Sequence, residues 1–201
     1  MRAATIAVIS ALATIGIVAC AGDGGAATDP VEVEAPADTV DAGPAVGETI
    51  PANFAARDAS GEERTLGTLA GDNGVVLVFN RSADWCSYCQ SQMVSLNGIR
   101  GDLEERGYTL ATISYDAPDV LADFSRRENI AYTMLSDQGS AMIDAFELRD
   151  PQYAEGSFAY GVPRPAIFVI GRDGRVRARM VESDYRIRPE NADILTAIDR
   201  L

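Results

Sequence analysis

Apolar and polar residues follow one another along this chain in a pattern that predicts strands leading into helices. Residues 75–79 (Val-Val-Leu-Val-Phe) form a continuous apolar, mostly β-branched run, which is typical of a strand buried on both faces. Farther on, apolar residues recur at helical spacing from Cys89 to Leu103, with charged residues between them. A buried strand is therefore expected to lead into an amphipathic helix.

The remaining pattern predicts a regular series of short elements. In chain order these are strands at 53–57 and 62–65 around a turn at 58–61, a helical turn at 66–70, the core strand at 75–80, a strand at 108–115, a helix at 119–128, a strand at 132–135, a helix at 140–146, strands at 166–170 and 175–181, and a helix at 190–198. Strands that alternate with helices and end in a hairpin and a last helix imply an α/β fold. We expect a mixed central β-sheet flanked by helices on both faces.

The first 45 residues do not fit this pattern. Residues 1–19 combine a positive start with a short, Ala-rich apolar core, which is typical of an export signal rather than of a permanent transmembrane helix. Residues 17–20 (Ile-Val-Ala-Cys) resemble the bacterial lipobox, so we expect Cys20 to be lipidated; the alternative is an ordinary signal peptide that contains a cysteine. Residues 20–45, acidic and poor in large apolar side chains, are expected to form a disordered tether, and 46–201 a folded domain.

Charge and composition exclude several classes of function. The net charge of −13 offers no basic patch for nucleic acid and no attraction to anionic lipid, so only the acyl anchor would hold the protein at a membrane. The chain contains no histidine and no lysine, which excludes Cys–His and Ser–His–Asp nucleophile pairs and Schiff-base chemistry. Two cysteines supply half of a zinc ligand set, so no metal is expected. Cys86 must therefore be activated by a helix terminus, by local hydrogen bonds or by an arginine.

Residues 85–89 (Trp-Cys-Ser-Tyr-Cys) carry the candidate chemistry. They stand where the core strand gives way to the helix, so Cys86 is expected at or just before the first helical turn, where free N–H groups and the helix dipole stabilise a thiolate. Cys89 follows one turn later, within reach of a short disulfide. With Cys20 acylated, these are the only free thiols, and the arrangement suits thiol–disulfide exchange with Cys86 as nucleophile and Cys89 as resolving thiol.

Several motifs together resemble the thioredoxin superfamily. The Cys-x-x-Cys pair behind a core strand is followed far downstream by 165–170 (Pro-Ala-Ile-Phe-Val-Ile) and by Asp173-Gly174. The opening pattern comprises Gly47, Pro51, Phe54, Asp58, Gly61, Leu66, Leu69 and Gly71. The chain is most similar to the redoxin branch, which joins alkyl-hydroperoxide-reductase/thiol-specific-antioxidant (AhpC/TSA) proteins to membrane-anchored TlpA-like reductases. The resemblance covers about residues 46–201 and implies a thioredoxin-like fold.

The resemblance also implies a docking edge for the substrate beside the sulfurs. The family places a cis-proline against the cysteine pair, and Pro165 occupies that position; the alternative is that Pro163 and Pro165 are both trans and only break a loop. Arg164 either supplies positive potential near Cys86 or is a solvated loop residue. Trp85, Arg164 and Pro165 are thus the candidate substrate-docking residues. A loop at 150–161, rich in glycine and aromatic residues, is either a substrate-facing flap or cover for the sheet.

One departure from the family bears on the reaction. Peroxiredoxins typically carry Pro-x-x-x-Thr-x-x-Cys, but here Phe79 and Ala83 stand at the proline and threonine positions. We therefore expect a lipid-anchored oxidoreductase of the bacterial cell envelope that acts on protein or small-molecule disulfides, takes electrons from an external dithiol donor and needs no cofactor. The alternatives are a thiol peroxidase acting on peroxides, and a lipoprotein binding module in which the disulfide is static.

Overall fold

The computed structural model describes residues 40–201. The predicted signal peptide, the lipidation site Cys20 and the tether up to residue 39 lie outside the described residues. Within the described part, each predicted strand is present, and its ends lie within two residues of the predicted ones. No helix in residues 40–201 combines the length and the apolar character needed to cross a membrane.

Seven strands form one mixed sheet. They are β1 (Ala55–Asp58), β2 (Glu63–Thr65), β3 (Gly74–Phe79), β4 (Tyr108–Ser114), β5 (Thr133–Ser136), β6 (Ala166–Gly171) and β7 (Val176–Val181). Their order is β2-β1-β5-β4-β3-β6-β7, with β3, β4 and β5 parallel and the other neighbouring pairs antiparallel. The predicted mixed sheet is thus confirmed, and β3, which leads to the cysteines, lies in its interior.

Helices cover both faces of the sheet. They are α1 (Leu66–Leu69), α2 (Ser87–Leu96), α3 (Arg100–Glu105), α4 (Pro118–Glu128), α5 (Ala141–Ala145) and α6 (Asn191–Asp199). Alternate residues of β3 enter two separate apolar clusters: Leu77 and Phe79 pack with α1 and α5 on one face, and Val76 and Val78 pack with α2, α3 and α6 on the other. This two-sided burial explains why β3 is apolar at consecutive positions.

The long helix expected from residue 89 to residue 103 is broken. A 3₁₀ turn at Asn97–Ile99 separates α2 from α3. Gly98 has low helix propensity, and the side chain of Asn97 donates a hydrogen bond to the carbonyl oxygen of Asn129 while accepting one from the N–H of Ala131. The apolar periodicity continues through the break, so the sequence pattern alone does not reveal it.

The folded part begins earlier than residue 46. The N–H of Val40 donates to the carbonyl oxygen of Val181 at the edge of β7, and Val40 and Ala42 pack against the core. Arg179 on β7 donates hydrogen bonds to Asp41 and to the carbonyl oxygens of Ala42 and Gly43. Residues 40–45, which the sequence assigns to the tether, therefore cover the outer strand of the sheet.

Candidate active site

Cys86 and Cys89 lie at the N-terminus of α2 and are joined by a disulfide, with a Cα–Cα distance of 5.2 Å. Cys86 is the N-cap residue, and its Sγ accepts a hydrogen bond from the N–H of Cys89 at 3.3 Å. Asp84, whose carboxylate is a common type of helix N-cap, does not cap α2: the sulfur of Cys86 occupies the capping position, and Asp84 is exposed. An N–H of the first helical turn therefore reaches the sulfur, a position where helix N-termini stabilise a thiolate once the disulfide is reduced.

A buried carboxylate fixes the loop that leads from β3 to α2. Asp116 accepts hydrogen bonds from the hydroxyl of Ser82 at 2.8 Å, from the N–H of Ala83 at 2.7 Å and from the hydroxyl of Ser114 at 2.8 Å. Burial raises the pKa of this carboxyl, and the three hydrogen bonds act in the opposite direction. Asp116 thus holds the backbone just before Cys86 in one conformation.

The disulfide is covered from solvent. The exposed fraction is 3% for Cys86 and 0% for Cys89. Cys89 is thus the more buried sulfur, and Cys86 is not exposed at the start of the helix either, because side chains from several elements cover it. The apolar cluster around the pair contains Ala83, Met93, Leu121, Phe124 and Met134, with Trp85 partly buried against it.

Arg81 lies at the centre of a group of aromatic rings beside the disulfide. Its Cζ is 4.1 Å from the ring centroid of Tyr185, 4.9 Å from that of Tyr153 and 5.3 Å from that of Trp85. Its Nη2 also donates a hydrogen bond to the hydroxyl of Tyr153. We call these four residues the arginine–aromatic cluster. The cluster joins the end of β3, the 150–161 loop and the segment after β7, and it buries Arg81 to 1% exposure.

The 150–161 loop reaches Trp85 itself. The ring of Phe158 packs edge-to-face against Trp85 with centroids 5.4 Å apart, although Phe158 remains 77% exposed. The indole N–H of Trp85 donates to the hydroxyl of Tyr115 at 2.9 Å. Ala159 beside it is fully buried, but the ring of Phe158 can leave Trp85 without loss of core packing, which favours the role of a flap for the tip of the loop.

A second arginine touches the disulfide directly. The Nη2 of Arg188 lies 3.4 Å from the Sγ of Cys89, and its Nη1 donates to the carbonyl oxygen of Ile187 at 2.7 Å. Burial, together with repulsion from Arg81, lowers the pKa of Arg188 to about 10, while Glu182 and Asp184 act to raise it. The guanidinium therefore stays protonated at neutral pH beside the sulfur.

The predicted cis bond at Pro165 is wrong. Every peptide bond in residues 40–201 is trans. Pro163 pairs with Arg149, the N–H of Arg164 donates to the carbonyl oxygen of Leu148 at 2.7 Å, and the carbonyl oxygen of Pro165 accepts from the N–H of Glu182 at 3.1 Å. These bonds hold the segment extended into β6, a path that the more stable trans form follows.

Pro165 nevertheless lies near the site, whereas the side chain of Arg164 forms no hydrogen bond or ion pair with any described residue of the site. Pro165 lines a small space together with Gln92, Glu182 and Arg188, of which Arg188 contacts the sulfur of Cys89. Arg164 is half-buried, and within residues 40–201 its side chain forms no hydrogen bond or ion pair. Of the two roles considered for Arg164, the structure gives no support to a positive charge at the cysteine pair; the arginines that lie there are Arg81 and Arg188.

The sequence motifs do not point to Arg188, Tyr185 or Asp116, and Arg81 stands out in the sequence only by its place just after the core strand. Arg188 lies 99 residues after Cys89, and nothing in its spacing connects it with the pair. One signal was present: residues 184–189 (Asp-Tyr-Arg-Ile-Arg-Pro) concentrate charge and an aromatic ring in a segment that fits neither a strand nor a helix. Such segments at the end of a sheet often carry functional side chains.

Comparison with known proteins agrees with this geometry. The family model of the AhpC/TSA family matches residues 46–179. Among curated proteins, the thiol-disulfide oxidoreductase ResA of Bacillus cereus is 25% identical over 137 residues, which is 68% of this chain and 69% of that protein. The peroxiredoxin Bcp of Escherichia coli is 27% identical over 127 residues, 63% of this chain and 80% of that protein.

The fold is likewise that of a solved relative. The crystal structure of peroxidoxin BcpB from Mycobacterium tuberculosis superimposes with a TM-score of 0.66 and 23% sequence identity. The match covers 78% of this chain and 97% of that one. The thioredoxin-like arrangement predicted from the motifs is therefore confirmed.

Proposed function

Because the chain belongs to the AhpC/TSA family, we propose that it is a thiol–disulfide oxidoreductase in which Cys86 attacks and Cys89 resolves. Its relatives are thiol–disulfide oxidoreductases and peroxiredoxins, and the chain is a redox enzyme. The observation that supports the finer proposal is the bonded pair at the start of α2, with the Cys86 sulfur at the helix cap. A single turn separates the two sulfurs, so the bond can form and open with little movement of the backbone.

In the reducing direction the reaction has two steps. The Cys86 thiolate attacks a substrate disulfide, forming a mixed disulfide and releasing one substrate thiolate. Cys89 then loses its proton and attacks the Cys86 sulfur, which releases the second substrate thiolate and forms the Cys86–Cys89 disulfide. The substrate gains two electrons and the protein loses two. An external dithiol returns them by the reverse sequence, and the cysteine pair itself carries the electrons.

The roles of the two sulfurs are tested by trapping the mixed disulfide. Reduced Cys89→Ser should accumulate a mixed disulfide between Cys86 and a substrate supplied in its disulfide form, either native insulin or oxidised glutathione, visible by mass spectrometry and lost with dithiothreitol. Cys86→Ser should accumulate none, because the Cys89 sulfur is fully buried. Adducts formed through Cys89 alone would reverse the assignment. The absence of adducts on either variant would favour a static disulfide and hence the binding module.

A thiol peroxidase is the second candidate, and the burial of Cys86 favours it. A small peroxide can reach a sulfur that is 3% exposed more easily than a folded protein can. Attack would give a sulfenic acid on Cys86 and an alkoxide or hydroxide, after which Cys89 forms the disulfide and water is released. Against it, the side chains of Phe79 and Ala83, at the family's proline and threonine positions, carry no group that could donate a hydrogen bond to a peroxide. The backbone N–H of Ala83 is already donated to Asp116.

The two candidates are separated by rates measured on the same reduced protein. Trp85 is the only tryptophan in the chain and is adjacent to Cys86, so stopped-flow fluorescence should follow oxidation by hydrogen peroxide and by oxidised glutathione alike. We expect oxidation by hydrogen peroxide to be slow, close to the rate for a free thiol of the same pKa, and exchange with oxidised glutathione to be faster. Oxidation by peroxide that is orders of magnitude faster than that of the free thiol would establish the peroxidase instead.

We further propose that the protein is held on the outer side of a bacterial membrane by a lipid on Cys20. The support is the lipobox-like sequence at 17–20 and the acidic segment that follows it. Cys20→Ser expressed in a bacterial host should move from the detergent phase to the aqueous phase of a Triton X-114 separation, with its dithiol activity retained. Retention in the membrane fraction would show that the apolar segment, not a lipid, is the anchor.

A further inference from the structure

Arg188 is the charged side chain that contacts a reacting atom, and its contact is with Cys89 rather than with Cys86. Its Nη2 lies 3.4 Å from the Cys89 sulfur, whereas the Cys86 sulfur accepts the N–H of the helix turn. The two sulfurs therefore have different neighbours: a backbone N–H for one and a guanidinium for the other. A neutral disulfide sulfur is a weak acceptor, so the guanidinium gains little from the contact until the bond is broken.

The surroundings of Arg188 hold it in place although they do not fully satisfy it. Its Nε is buried and makes no hydrogen bond, and Arg81 repels it from the arginine–aromatic cluster. Glu182 and Asp184, from the end of β7 and the segment beyond it, attract it. A partly buried cation that faces another cation is costly. An anion formed at the adjacent sulfur would reduce that cost.

We propose that Arg188 is a catalytic residue that stabilises the thiolate of Cys89, and that it thereby decides which sulfur of the disulfide an incoming thiol attacks. This inference rests on the proposed dithiol function. An external thiolate that attacks the Cys86 sulfur forms a new bond to Cys86 and expels Cys89 as a thiolate, which receives the negative charge beside the guanidinium. Attack on the Cys89 sulfur would instead expel Cys86, with only the helix N–H groups to receive it.

The same residue serves the opposite step. When a mixed disulfide stands on Cys86, Cys89 must lose its proton before it can attack, and full burial in an apolar cluster would otherwise raise the pKa of its thiol. A cation within hydrogen-bonding distance lowers the pKa of such a group by about 1–3 units. Arg188 thus makes Cys89 the better leaving group in one direction and a ready nucleophile in the other. By stabilising the dithiol form, it also makes the protein more oxidising.

The proposal is tested on a protein with a single thiol, so that catalytic turnover is not needed. In a Cys86→Ala background, the Cys89 thiolate is titrated by its absorbance at 240 nm, with Arg188 intact and with Arg188→Lys and Arg188→Gln. We expect the lowest pKa with arginine, an intermediate value with lysine, and a rise of about one unit or more with glutamine. A Cys89 pKa that does not change, or that falls, in Arg188→Gln would overturn the proposal.

Arg186→Gln is the matched control. Arg186 belongs to the same segment, is exposed and is paired with Asp184. Arg186→Gln should leave the pKa of Cys89 unchanged. A rise in the Cys89 pKa equal to that in Arg188→Gln would assign the effect to disturbance of the whole segment and overturn the specific role of Arg188. Circular dichroism of each variant verifies that the fold is retained.

A second measurement uses the protein with both cysteines and remains informative if the titration is obscured by tyrosine absorbance. At equilibrium with a glutathione redox series at pH 7, Arg188→Gln should shift the balance about threefold or more toward the disulfide. No shift, or a shift toward the dithiol, would contradict the proposal. If the pKa of Cys89 rises in Arg188→Gln as expected, but neither disulfides nor peroxides react with the reduced wild-type protein, the proposed function fails while the role of Arg188 stands.

Discussion

The guanidinium of Arg81 lies 4.1 Å from the ring centroid of Tyr185, so that a residue at the end of β3 is fixed to the chain beyond β7. The two residues are more than 100 positions apart in the sequence, and the contact lies beside the only disulfide in the described residues. Because Tyr153 stacks on the same guanidinium, this one side chain closes three segments over the cysteine pair. Arg81 is therefore expected to control access to the site as well as its charge.

Replacing Arg81 should open this cover. In Arg81→Met the side chain keeps its length but loses the charge, the stacking and the hydrogen bond to Tyr153. Each cation–π contact and the hydrogen bond contribute on the order of 1 kcal/mol, offset by removal of a buried cation, so we expect a net loss of about 1–3 kcal/mol in the free energy of unfolding. Acrylamide, a neutral quencher, should then reach Trp85 more readily, as measured by Stern–Volmer analysis.

Arg81→Lys separates charge from shape in this experiment. Lysine retains the cation but lacks the planar guanidinium that stacks on rings, so quenching of Trp85 should lie between wild type and Arg81→Met. Quenching that is the same in all three proteins would show that the arginine–aromatic cluster does not cover the indole.

The loop residue Phe158 should affect access without affecting stability. Its ring is 77% exposed and contacts Trp85 and Tyr153 edge-to-face, so Phe158→Ala is expected to change the free energy of unfolding by no more than about 0.5 kcal/mol. Reduction of the disulfide by dithiothreitol should become faster, because the loop loses its contact beside Cys86. The rate is followed by the fluorescence of Trp85.

Phe146→Ala is the contrasting control. Phe146 is fully buried and packs against Phe79 and Phe168, so its truncation should cost about 3–5 kcal/mol in a urea unfolding experiment. A stability loss in Phe158→Ala comparable to that in Phe146→Ala would mean that the loop is structural cover for the sheet, which is the alternative that the sequence left open.

Local sequence predicted the fold well because each signal for it is local. The run at 75–79 and the pair at 86 and 89 lie within one strand–loop–helix unit, so burial, helix entry and disulfide distance all follow from neighbours in the chain. The break at Asn97 escaped prediction because the side chain acts on residues 129 and 131, which only the folded chain brings near.

The chemistry of the site could be predicted less well from the sequence, because it depends on contacts between distant segments. Arg188 reaches Cys89 only because β7 lies next to β6 and returns the chain to the start of α2. The cis bond expected at Pro165 rested on family resemblance, and it failed because hydrogen bonds from Glu182 and to Leu148 fix an extended path around that residue. Side chains that act across a sheet have no spacing rule that a sequence pattern could reveal.

Stability at low pH should depend on the carboxylate of Asp58, the last residue of β1 before the turn to β2. Burial acts to raise its pKa, but hydrogen bonds from Ser60, Arg64 and the backbone of Glu62 together outweigh burial and lower the pKa from 3.8 to about 2. A pKa depressed in the folded state means that the ionised carboxyl stabilises the fold above about pH 4. That stabilisation is lost as the pH falls from about 4 to about 2.

Asp58→Asn should therefore lower the free energy of unfolding at pH 7 by about 2 kcal/mol and flatten its dependence on pH below 4. Urea unfolding at several pH values between 2 and 7 measures both. The comparison variant is Asp123→Asn, whose carboxylate is exposed and paired with the equally exposed Arg126, so its effect should stay below about 0.5 kcal/mol. An acid dependence unchanged by Asp58→Asn would show that other carboxylates determine it.

The start of β3 should tolerate no side chain at Gly74. Its φ is +150°, and a Cβ built there would lie 1.9 Å from the carbonyl oxygen of Ile170 on β6. The contact is with backbone that is itself paired in the sheet, so it cannot move aside without disrupting the pairing of β3 with β6. We expect Gly74→Ala to cost more than about 3 kcal/mol or to prevent folding, as measured by urea unfolding.

Gly101→Ala is the matched substitution in open space. Gly101 lies in the exposed first turn of α3, and a Cβ there would meet no atom within 4 Å. Alanine has the higher helix propensity and restricts the unfolded chain, so this variant should be more stable than wild type by about 0.5–1 kcal/mol. The same Gly→Ala substitution is thus expected to lower the free energy of unfolding at position 74 and to raise it at position 101. A small loss of stability in Gly74→Ala would mean that the start of β3 can shift relative to β6, and with it the loop that carries Cys86.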